Sequence, residues 1–168
     1  MRRFPRRVSL SPSGLPLCIV KRNVTAWRPN GIDPQITMHA RAKFPCPCCG
    51  HLVFDHEPGF HQVCPICGWE DDLTQLRFPL MPGSSNTVSL QVAQQNFLAY
   101  GASERRNRGR TREPVDGEVM ESGWRLLDPA SDNVEQPTRG VRYGDSYPWP
   151  DTTVLYYWRA TYWRRVVG

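Results

Sequence analysis

Three features of this 168-residue sequence predict a small α+β protein. Two copies of a Cys-Pro-x-Cys-Gly motif bracket a stretch with hairpin character. One later segment shows helical periodicity. A C-terminal stretch combines β-branched and aromatic residues, and a long irregular segment joins it to the helix.

Composition sets the terms. Leu, Ile, Val and Phe together number 36, close to the roughly 20% level below which chains tend to stay disordered. So thin an aliphatic core usually needs a staple such as a metal or disulfides. No apolar run approaches the ~18 residues of a membrane span. Ser9 to Val20 is broken by Pro12, Gly14 and Pro16, a poor export signal. The expectation is no membrane contact and a cytoplasmic location.

The formal charge of +5 is uneven. Residues 1–37 hold Arg2, Arg3, Arg6, Arg7, Lys21, Arg22 and Arg28 against Asp33, and the rest of the chain is close to neutral. This first part reads as a disordered basic arm, or as sequence upstream of a true start at Met38. Residues 38–103 carry the motifs and the helix. Residues 104–168 comprise an Arg-rich linker, the irregular segment and the aromatic end.

Cys46-Pro47-Cys48-Cys49-Gly50 and Cys64-Pro65-Ile66-Cys67-Gly68 are the two motif copies. Two thiolates separated by two residues grip one metal if the backbone between them turns tightly. Pro after the first Cys pre-sets φ for that turn. Gly after the second tolerates positive φ. Two such knuckles supply four thiolates in a tetrahedron, which suits zinc, with iron the lesser choice. The ligands are then Cys46, Cys49, Cys64 and Cys67. Cys48 falls at the variable position and points away. Disulfides would need an oxidising compartment, and a redox CxxC usually stands alone.

Between the knuckles, His51-Leu52-Val53-Phe54 and Phe60-His61-Gln62-Val63 read as strands joined by a turn at Glu57-Pro58-Gly59. Knuckle, hairpin and knuckle make a zinc ribbon, in which metal binding supplies folding energy. Trp69 follows the second knuckle and packs over it. Glu70, Asp71 and Asp72 form either a partner-contact surface or a solvated turn. Ser89 to Tyr100 reads as a helix, with Ser89 as N-cap and Gly101 in the left-handed position after its last turn. Leu90, Ala93, Phe97 and Tyr100 share its apolar face, and Gln91, Gln94, Gln95 and Asn96 its polar one. Arg105, Arg106, Arg108, Arg110 and Arg112 read as a solvated linker or a phosphate-binding run. Thr152 to Trp158 favours a strand. Tyr157, Trp158, Arg159 and Trp163 there are either core or a contact surface, because Trp, Tyr and Arg dominate interface hot spots.

Phe44-Pro45-Cys46-Pro47-Cys48-Cys49-Gly50, the run Cys64 to Asp72, Asn86 with Val88-Ser89-Leu90, and a helix ending in Phe97 and Gly101 together resemble the bacterial cysteine-rich CPCC family. The resemblance covers about residues 43–103. It implies a bacterial, cytosolic metal-binding module and carries over no catalytic residue.

The function expected is a non-catalytic zinc module that binds a protein. One alternative is a nucleic-acid binder acting through Arg105 to Arg112. Another is a metal-dependent hydrolase using His56 or His61 with Asp71 or Asp72. A thiol redox role for Cys48, or for Cys64 with Cys67, is a further alternative. His39 and His51 complete the four histidines, but four cysteines already close a tetrahedron. A zinc-deaminase pattern fails, because no His-x-Glu precedes Pro45-Cys46.

Overall fold

Each cysteine motif folds back on itself, and the other described residues are arranged around the two turns. The computed structural model describes residues 42–165, so the expectations for residues 1–37 and Met38 lie outside the described residues. Strand β1 (Phe44–Pro45) enters the first knuckle and β2 (Leu52–Phe54) leaves it. They pair antiparallel, Phe44 with Phe54 and Pro45 with Leu52, with an irregularity between. The second knuckle repeats this return less regularly. Val63 and Glu70 form an isolated antiparallel bridge. Asp71 N donates to Gln62 O at 2.8 Å, and His61 N to Asp71 O at 3.1 Å.

This corrects the predicted ribbon. Leu52–Phe54 is a strand, but it pairs back across the first knuckle and not with residues 60–63. The knuckle is itself a tight reversal, so the residues flanking it are already side by side. The turn at Glu57-Pro58-Gly59 is held instead by Asp71, whose carboxylate accepts from Gly59 N at 2.8 Å and Phe60 N at 3.1 Å. The other edge of β2 meets the segment expected to be irregular. Leu52 N donates to Val119 O at 2.9 Å, and Glu121 N to Gly50 O at 2.8 Å.

A short helix, α1 (Leu73–Arg77), begins where Asp72 accepts from Thr74 N and Gln75 N. The main helix, α2 (Leu90–Tyr100), has Ser89 as N-cap and Gly101 at φ 75° after its last turn, as its sequence predicts. Leu90 and Ala93 are buried as expected, and Gln94 is buried against expectation.

The C-terminal strand does not form. Thr152–Leu155 is a 3₁₀ turn, started by Asp151 accepting from Thr153 N. Leu155, Tyr156, Tyr157 and Trp158 are consecutive and all buried. That defeats the alternation a strand requires: these side chains enter the core from a coiled backbone. The core they join contains the five cysteines of the knuckles with Trp69, Leu76, Leu90 and Leu127. Tyr156 reaches the first knuckle directly, its hydroxyl donating to Pro45 O at 3.1 Å.

Candidate metal centre

The two knuckles are closed by the same pair of hydrogen bonds. In the first, Gly50 N donates to Cys46 O at 2.7 Å and Cys46 N to His51 O at 2.9 Å. In the second, Gly68 N donates to Cys64 O and Cys64 N to Trp69 O, both at 2.8 Å. Gly50 sits at φ 79° and Gly68 at φ 76°, a region that side chains with a Cβ rarely occupy. Each glycine is also covered: an added Cβ would lie 2.6 Å from Trp124 Cδ2 at Gly50, and 2.7 Å from Asn107 Cβ at Gly68. So residues 104–124 cap both turns.

This geometry brings the sulfurs of Cys46, Cys49, Cys64 and Cys67 within 4.8 Å of one another. Across the knuckles, Cys46 Sγ lies 3.6 Å from Cys67 Sγ, and Cys49 Sγ 3.7 Å from Cys64 Sγ. A tetrahedron with metal–sulfur bonds of about 2.3 Å has edges of about 3.8 Å. The four donors therefore fit a single tetrahedral metal. All four are buried, and none is in a disulfide. Cys48 is buried as well, but its sulfur is not one of the convergent group. Among the described residues this is the one group of three or more Cys, His, Asp or Glu donors that converges.

The thiols respond strongly to being packed together. Burial pushes Cys46 and Cys67 well up. Cys49 is held well below the ordinary thiol range, first by the Cys46 side chain and then by Cys64 and Cys67. A divalent cation would replace the thiol protons and offset part of the buried thiolate charge. His51 Nδ1 and Trp69 Nε1, the ring nitrogens of the residues following the two motifs, are buried without a hydrogen-bond partner. Contact with Cys49 raises the His51 pKa.

Two of the three acids after the second knuckle, Asp71 and Asp72, do not reach the surface. Asp71 is 1% exposed and Asp72 3% exposed. Both carboxylates hold loop backbone: Asp71 at Gly59 and Phe60, Asp72 at α1 and at Ser85 N, 2.9 Å away. Burial raises the Asp71 pKa to about 6. Glu70 is half-buried and reaches His61 Nδ1 at 3.0 Å. The histidines and acids considered for hydrolysis are therefore not gathered at a second metal site among the described residues.

The aromatic end is also spoken for. Tyr157 donates to Arg125 O and accepts from Gln94 Nε2. Trp158 Nε1 donates to Glu121 at 2.5 Å, and Arg159 pairs with the same carboxylate. Trp163 is one wall of an aromatic box around Arg77, with Phe78, Tyr143 and Tyr147. Tyr157, Trp158 and Trp163 serve packing and are not a free contact face.

Sequence reasoning missed a buried amide pair. Gln75 and Asn86 are 0% and 2% exposed. Asn86 Nδ2 donates to Glu70 O, and Asn86 Oδ1 accepts from Glu70 N, both at 2.9 Å. Asn86 N and Nδ2 also donate to Gln75 Oε1. The side chain of Asn86 thus acts as a strand neighbour for the residue that ends the second knuckle hairpin. No period or spacing signals such a role.

No curated protein matches the chain significantly. The family model described as Cysteine-rich CPCC matches residues 44–118, from the strand entering the first knuckle to beyond the arginine turn. By that match the segment 44–118, which holds both cysteine motifs, is similar to the cysteine-rich CPCC family.

Proposed function

We propose that this chain is a non-catalytic zinc-binding module whose metal is structural and whose surface binds another protein. The observation that carries it is the closed donor set: four buried thiols converge, which leaves no ligand position for water or substrate. All-sulfur tetrahedral donors favour zinc over harder divalent ions. Buried reduced thiols fit a reducing compartment, so we place the protein in the cytoplasm. Protein binding is supported by apolar side chains left exposed beside the second knuckle, Phe60 at 57% and Val63 at 60%. Exposed apolar groups next to a rigid turn suit a partner contact.

The test is photo-crosslinking from a probe at position 63 in the full, metal-loaded chain, in extract of the source organism. A reproducible protein adduct that competes with unlabelled chain supports the reading. Adducts to nucleic acid alone, or none, contradict it. The exposed arginines between residues 105 and 112 favour nucleic acid as the second reading, which requires steeply salt-sensitive binding.

A further inference from the structure

The arginine run is not a loose linker. It is fixed to the second knuckle along its length. Ser103 N donates to Cys67 O at 2.7 Å, and Arg112 N donates to Pro65 O at 3.1 Å. Between them, Arg105–Asn107 is a 3₁₀ turn. Asn107 Nδ2 ties that turn to Gly68 O at 3.0 Å. The guanidiniums are consequently presented from a rigid support, and all five are exposed.

Their pairing is incomplete. Arg106 meets Glu104 at 2.9 Å, and Arg112 meets Glu118 at 2.7 Å. Arg105 and Arg108 lie 5.4 and 5.8 Å from the Tyr100 ring centre. Neither they nor Arg110 have a carboxylate partner among the described residues. Arg106 and Arg110 line a cleft of about 580 Å³ whose lining also includes Val63, Glu70, Ser85 and Asn86.

We infer that this cleft is the docking site for an acidic segment of a partner protein. A carboxylate of the partner would pair with Arg110 and Arg106, and a neighbouring apolar side chain would cover Val63. Charge complementarity selects this occupant. Arg110 has no carboxylate partner among the described residues and can take a single carboxylate, whereas the cleft's one acid and the near-neutral chain beyond residue 37 offer no continuous basic track for a phosphate backbone. Preformed cations on a rigid turn need no ordering when the partner arrives.

This inference rests on the protein-binding reading above. Its test uses the full metal-loaded chain and a fluorescent peptide of alternating Glu and Leu, followed by anisotropy. Binding should weaken as salt rises and fall about tenfold in Arg110→Glu and in Arg106→Glu, charge reversals opposite the ligand. The control Arg139→Glu, an exposed arginine outside the cleft lining, should change it less than about twofold. Variants are compared only where circular dichroism matches the parent. Equal binding by Arg110→Glu and the parent would overturn the inference. So would equal loss in Arg139→Glu, no peptide binding at low salt, or tighter binding of a single-stranded oligonucleotide. If the peptide fails while crosslinking at position 63 still yields a protein, only the acidic-cleft inference falls. If both fail, protein binding falls with it.

Discussion

Single residues decide whether the knuckles close. Gly50 needs both a positive φ and an open face, because Trp124 lies on it and Trp124 Nε1 donates to Pro47 O at 3.2 Å. Gly50→Ala should destabilise the loaded protein by about 3 kcal/mol, from left-handed strain plus overpacking, measured by chemical denaturation. Gly140→Ala is its comparison: its φ is also positive, 84°, but nothing lies within 4 Å, so it should cost only about 1 kcal/mol. The motif made the demand for Gly50 legible. The Trp124 contact, 74 residues away in sequence, was not, because no local pattern couples the two. Asp71 offers a second residue-scale measurement. Its folded pKa of about 6 exceeds the ordinary 3.8 because burial disfavours the anion. The folded state therefore holds this proton more tightly than the unfolded one. The stability owed to Asp71 falls as pH rises from about 4 through about 6 and is level above that. Carboxyl-carbon NMR should show a midpoint near 6 for Asp71; one near 3.8 would contradict its placement.

At the scale of elements, helix α2 was the most readable part of the chain. Ser89 and Gly101 marked its ends, and Leu90 and Ala93 its buried face. Gln94 was not readable, since an uncharged polar residue on a helix suggests solvent. In the fold its Nε2 donates to Pro47 O at 2.8 Å and Tyr157 Oη at 2.9 Å, and its Oε1 accepts from Leu127 N at 2.9 Å. One side chain joins the helix to the first knuckle, the 127 segment and the aromatic end. Gln94→Leu strands these buried partners and should cost about 3 kcal/mol. Gln91→Leu, at a half-buried position with no such side-chain bonds, should cost less than about 1 kcal/mol. The predicted hairpin and C-terminal strand failed for a related reason. Period and propensity report what a segment prefers alone. Here β2 takes its partners from Phe44–Pro45 and from Val119, and the aromatic residues are buried consecutively.

At the scale of the molecule, residues 104–165 are an integral part of the fold around the metal centre. Arg77 ties α1 to this part of the chain. Its guanidinium lies 4.7–5.1 Å from four aromatic ring centres. Its Nε donates to Glu135 at 2.8 Å, and its Nη1 to Ser146 Oγ at 3.0 Å. Arg77→Lys keeps the charge but loses the planar fork and the stacking. It should destabilise the protein by about 2 kcal/mol, read from denaturant midpoints.

The cysteines sit inside the same buried cluster as Trp69, Tyr156 and Trp158, so metal and fold should be lost together. The most direct test of a closed four-thiolate site is metal analysis of purified parent, Cys64→Ser and Cys48→Ala, with near-ultraviolet circular dichroism on the same samples. Parent and Cys48→Ala should each hold a single zinc and show a structured aromatic spectrum, and Cys64→Ser should show neither. Zinc retained by Cys64→Ser, or lost from Cys48→Ala, would contradict a closed four-thiolate site.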